Sequence, residues 1–138
     1  MLSNLPSLLS SNTDASVVVI EAGINDAKTS ANGGIDIATT KSNIQSMITL
    51  VKNAGKIPVL STPAPIDMSN VAVAGMFDNA KRTAICLATV ALAKANNVRC
   101  ADINTKMSQN YALLADGLHP NDSGHLALAN IICTEILK

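Results

Sequence analysis

The sequence predicts an α/β domain built on a parallel sheet, and three observations carry that expectation. Apolar runs at residues 17–20, 57–60 and 98–103 alternate with stretches of helical apolar spacing, the order expected of βαβ units with right-handed crossovers. The first run, Val17, Val18, Val19 and Ile20, is continuous and β-branched, which suits a strand covered on both faces of a parallel sheet. Polar, turn-forming residues follow it at once, from Glu21 to Asp26, where open α/β sheets place their ligands.

The elements follow in chain order. Leu2, Leu5, Leu8 and Leu9 space a short amphipathic helix over residues 2–10, with Pro6 in its first turn. A turn at residues 11–14 leads into the first strand, and residues 27–40, rich in Ser, Thr, Asn and Gly, read as a long loop on a site rim. Ile44, Met47, Ile48 and Val51 mark a crossover helix, capped by Thr40 or Ser42 and stopped by Gly55. The second strand carries Pro58 near its start, where a missing donor matters least. Residues 62–67 leave it as a proline-restrained loop. A long Ala- and Leu-rich helix spans residues 79–95 and ends at Asn96 and Asn97. After the third strand, a final helix over residues 124–137 takes Asn121 or Asp122 as its cap, with Leu126, Leu128, Ala129, Ile132 and Ile136 on its apolar stripe.

Composition narrows the function. At 138 residues the chain has length for one core, so residues 1–138 read as one domain. Ten basic residues balance ten acidic ones, leaving no cationic face for a nucleic acid. Phe77 and Tyr111 are the only aromatics, so stacking platforms are missing too. Cys86, Cys100 and Cys133 are odd in number and far apart, arguing against a disulfide framework or a thiolate zinc site. No run reaches the length of a membrane span and no basic-then-apolar leader opens the chain, so the expectation is a soluble, cytoplasmic protein.

The densest chemistry lies just before the last helix. Asp116 precedes His119 by three residues with Gly117 between them, a spacing that can bring the carboxylate onto one imidazole nitrogen. That contact fixes the tautomer and frees the other nitrogen to act as a base. The plain alternative is a solvated loop histidine. The topology places residues 23–26 and 116–119 at the same edge of the sheet, where they can share a cleft.

Taken together, two motifs carry a resemblance. The strand followed by Gly23, Ile24, Asn25 and Asp26, and the segment Asp116-Gly-Leu-His119-Pro120 ahead of the C-terminal helix, resemble the third and fifth blocks of the SGNH, or GDSL-like, hydrolases. These are serine esterases and acyl hydrolases on a three-layer, flavodoxin-like α/β sandwich. The resemblance implies that Asn25 donates its amide to an oxyanion, that His119 is the general base and that Asp116 orients it. Asp26 then reads as a structural carboxylate and Gly23 as a backbone-permissive position. The implied substrate is an ester, or an acylated small molecule or carbohydrate, and no cofactor or metal is called for.

The sequence departs from that family in one respect. Its Gly-Asp-Ser nucleophile block and the following glycine block have no counterpart here, so the first βα unit, roughly 30 or more residues, is missing from the expected fold. Ser3, Ser7, Ser10, Ser11 and Ser61 lack the strained strand-to-helix setting of a nucleophile, and Cys100 sits in an apolar strand. A metal site from Asp26, Asp116, His119 and His125 is disfavoured, since the histidines are six apart and share no helix face. Two functional readings follow: an ester hydrolase that needs a serine from another segment, or an inactive binding or assembly module. In either case the 17–20 strand is left with an open edge, which predicts pairing with a second copy or with an N-terminal complementing segment.

Overall fold

The computed structural model describes residues 2–108 and 110–138. Three parallel strands, β1 (Val17–Glu21), β2 (Ile57–Ser61) and β3 (Arg99–Ala101), form a sheet in the order β1-β2-β3. β2 is the central strand and yet contains Pro58. The backbone N–H of Ile57 donates toward β1, to Ser16, and that of Thr62 toward β3, to Ala101. Alternation therefore turns position 58 toward β3, which pairs with β2 only from Val59 onward. The missing donor falls beside strand that has not yet begun.

Among the described residues six α-helices surround the sheet: α1 (Leu5–Ser11), α2 (Ile37–Asn53), α3 (Val71–Met76), α4 (Asn79–Ala95), α5 (Ile103–Lys106) and α6 (Asp122–Ile136). α2 and α4 cover one face, where Ile44, Met47, Ile48, Val51 and Ala93 pack with Ile20 and Leu60. On the other face α6 lays Leu128, Ile131 and Ile132 against Ala101, Ile103 and Met107. The result is the three-layer α/β sandwich expected from the sequence.

Several local expectations are corrected. β1 is not covered on both faces: of its five residues only Ile20 is buried, and Val19 is 38% exposed. α6 packs chiefly on the β3 side of the sheet. α2 starts three residues before Thr40, because Asp36 caps it by accepting from the backbone N–H and the hydroxyl of Thr39. Thr40 is instead buried inside the helix. Within the long 27–40 loop, Ser30–Asn32 forms a single 3-10 turn. β3 stops at Ala101 rather than Ile103, since Asp102 caps α5 through the N–H of Thr105. α3, which the sequence reading passes over, takes Asn70 as its cap. The final helix is capped by Asn121 through Gly124 N–H at 2.9 Å. Leu126 and Ala129 face outward rather than into its stripe.

Candidate active site

Two loops at the carboxyl ends of the strands build the site. The first leaves β1 through Gly23, whose φ is +105°, a region that side chains rarely enter. A Cβ here would also lie 2.6 Å from the Cγ2 of Ile85 on α4, so glycine is required by conformation and by packing. Asn25–Ala27 then forms a 3-10 turn, with the N–H of Ala27 donating to the carbonyls of Gly23 and Ile24. Asp26 turns inward, its Oδ2 accepting from the Thr40 hydroxyl at 3.0 Å. Asn25 turns outward, and among the described residues its side-chain amide has no hydrogen-bond partner.

The second loop joins the 3-10 turn Tyr111–Leu113 to α6. The N–H of Ala115 donates to the carbonyl of His119 at 2.7 Å, and Leu114 bridges Pro120 in antiparallel fashion. Inside this tight loop Asp116 divides its two oxygens. Oδ1 accepts from the N–H groups of Leu118, at 2.9 Å, and His119, at 2.7 Å, while Oδ2 lies 2.7 Å from Nδ1 of His119. The backbone N–H and ring of His119, with Leu118 N–H, hold the Asp116 carboxyl well below the usual carboxylate range. An anionic Asp116 therefore accepts a hydrogen bond from Nδ1–H of the ring, which leaves Nε2 as the nitrogen with the free lone pair. His119 and Asp116 are 72% and 56% exposed at their side chains.

Asn25 and His119 line one cavity of about 180 Å³, together with Glu21, Ile24, Ile66, Phe77, Leu118 and Leu128. The two motifs thus converge as the topology predicts. Glu21, at the end of β1, has its carboxyl raised by partial desolvation at the rim. Among the described residues, no Ser, Thr or Cys side chain lines this cavity. Ser61 is fully buried with its hydroxyl on the Thr62 carbonyl, burial pushes the Cys100 thiol up to about 11, and neither residue lines the cavity that holds His119. His125 lies exposed on α6, away from the cavity lining. Among the described residues, no three His, Cys, Asp or Glu side chains gather as metal ligands. A separate apolar groove of about 450 Å³ runs between α1 and β1, lined by Leu5, Leu8, Leu9, Val17, Val19 and Met47 among others.

The carboxyl edge of the sheet carries an acid-oriented imidazole and an amide that is unpartnered among the described residues, on a scaffold of the parallel three-layer α/β class. Within it, the chain belongs to the GDSL-like lipase/acylhydrolase family, whose sequence profile matches residues 2–127. The fold is shared with the lipase/acylhydrolase from Enterococcus faecalis and with a putative acylhydrolase from Bacteroides fragilis. Each superposes with a TM-score of 0.82 at 25% identity, over 98% of this chain and 67% of the other. A carbohydrate acetylesterase from Sinorhizobium meliloti matches at 19% identity with a TM-score of 0.78, over 99% of this chain and 66% of its own. The chain thus spans about two thirds of these proteins. No curated protein matches it in sequence. No helix among the described residues is long and apolar enough to cross a membrane.

Sequence reading alone passes over the residues beneath and around the second loop. Asp67 and Asn70 lie directly under it, and Phe77 and Ile66 wall the cavity. The signal for Asn70 was present: an Asn immediately ahead of Val71-Ala-Val-Ala is a helix-start signature.

Proposed function

We propose that this chain is the greater part of an ester hydrolase whose acid-base and oxyanion groups it carries and whose serine comes from another segment. His119 Nε2 takes the serine proton and returns it to the departing alcohol. Asp116 holds the ring in the Nδ1–H tautomer and stabilises the imidazolium formed during attack. Asn25 donates its amide to the developing oxyanion, which is worth about 3 kcal/mol in comparable sites. Asp26 and Gly23 hold the loop that carries Asn25. The observation that carries this reading is the shared cavity, with an unpartnered amide and an acid-oriented imidazole on its wall.

The serine-bearing segment would pair along β1, whose outer edge has no partner strand among the described residues and whose α1-side groove is apolar; a second copy of the chain is the other occupant for that edge. For substrate, the small apolar cavity and the acetylesterase among the structural neighbours favour a short acyl ester on a small molecule or carbohydrate. The lack of any hydroxyl on the cavity wall favours a second reading, a catalytically silent module that keeps the fold for binding or assembly.

Turnover of p-nitrophenyl acetate separates the two. The chain alone is expected to be inactive, and a fusion to an upstream Gly-Asp-Ser segment active and abolished by His119→Ala. A fusion that folds but never hydrolyses the ester refutes the hydrolase reading in favour of the silent module.

A further inference from the structure

The Asp116–His119 loop rests on a turn 46 residues upstream. Asp67 Oδ1 closes that turn by accepting from the N–H and hydroxyl of Ser69, at 2.9 and 2.6 Å. Two hydrogen bonds then cross to the loop: Asp67 N–H to the Gly117 carbonyl at 2.8 Å, and Asn70 Nδ2 to the Asp116 carbonyl at 2.9 Å. Gly117, at φ +84°, lies so close that a Cβ would meet Asn70 Nδ2 at 3.1 Å and Asp67 Cβ at 3.4 Å. The other end of the Asn70 amide is fixed as well, since Oδ1 accepts from Ala72 N–H at 3.0 Å and caps α3. Donor and acceptor are both satisfied in one orientation.

We infer that Asn70 is a positioning residue for the Asp116–His119 pair, setting the peptide from which the carboxylate reaches the imidazole. The inference deepens the hydrolase reading and, in its catalytic consequence, rests on it. Leu118 packs on the Ile66 and Phe77 cluster, but Asp116 and His119 are themselves exposed, so directional bonds fix the place of the Asp116 peptide. Fixing the Asp116 carbonyl fixes its Cα, and with it the carboxylate that meets Leu118, His119 and the ring. The same amide anchors α3, and Phe77 just beyond that helix walls the cavity. Base and cavity wall are thereby set from one side chain. A displacement of about 1 Å in such a pair is enough to cost on the order of a hundredfold in rate.

Asn70→Ser separates the two halves of the amide, because serine retains an acceptor for the α3 cap and has no amide to reach Asp116. By NMR on the chain itself, α3 amide protection is expected to hold. The Leu118 and His119 amides should exchange roughly fivefold to tenfold faster, the worth of about one hydrogen bond. The His119 ring nitrogens should change from a single Nδ1–H signature to a tautomer mixture. Asn70→Asp, which sets a carboxylate against the Asp116 carbonyl, should show the same changes more strongly. Unchanged ring and amide signals in both variants overturn the inference. So does loss of folding in both, which would make Asn70 a structural residue. In an active serine-bearing fusion, Asn70→Ser should lower kcat on the order of tenfold or more with KM little changed; an unaffected kcat overturns the positioning role alone. Intact loop signatures in a fusion with no esterase activity leave the positioning role standing and remove the hydrolase reading.

Discussion

The two loops of the candidate site are held by opposite means. The Gly23–Ala27 loop is seated by packing: Gly23 abuts Ile85, Ala27 is fully buried, and Asp26 reaches Thr40, itself buried in α2. The Asp116–His119 loop is seated by hydrogen bonds on the surface, with both functional side chains open to solvent. The oxyanion candidate thus stands on the core and the candidate base on a polar scaffold. Damage to the first loop should register as lost stability, damage to the second as lost geometry.

The sharpest test is Gly23→Ala. Positive φ and a 2.6 Å approach to Ile85 together predict a loss of about 2–4 kcal/mol in urea unfolding; a loss below about 1 kcal/mol would break the comparison. Thr40→Val, which strips Asp26 of its hydroxyl partner, should cost about 1–2 kcal/mol in the same measurement. Gly117→Ala has a positive φ but meets only the side chains of Asn70 and Asp67 at 3.1 Å or more, so about 1 kcal/mol is expected, with the larger effect on the His119 ring signals. Equal stability losses at Gly23 and Gly117 would remove the contrast.

The smallest effect on global stability belongs to Asp116. Its carboxyl is lowered in the folded state, so its contribution is present above the unfolded carboxylate value near 4. That contribution is lost as pH falls through the lower folded value. Protection of the Leu118 and His119 amides should therefore survive acidification past pH 4, while Asp116→Asn lacks it at every pH with little change in the unfolding midpoint. Wild-type protection that disappears at pH 4 to 5 would contradict the assignment.

How much of this was legible in the sequence depends on which force sets each feature. The strands and long helices follow apolar periodicity, and α4 begins at Asn79 and ends at Ala95 as its composition predicts. Gly55 lies just past the end of α2, at φ +72°. Misplaced boundaries are those fixed by a single side-chain cap, Asp36 before α2 and Asp102 after β3, where one capping carboxylate outweighs the apolar pattern. The open face of β1 escaped because a β-branched run states what a strand could bury and says nothing of whether a helix reaches it. The Asp116–His119 contact was readable because it is local, three residues apart. Asn70 was not readable as its support, because a contact across 46 residues leaves no spacing to read.

That same separation has a consequence for the order in which the site comes into being. Each local piece of the second loop can form at once, but its seat requires closing a long stretch of chain through α4 and β3, and such closures come late and slowly. After dilution from denaturant, helical ellipticity is expected to return before the His119 ring acquires its native signals; simultaneous recovery in stopped-flow and real-time NMR would disprove that order. The Asp116–His119 pair is, on this view, among the last contacts the domain acquires while folding.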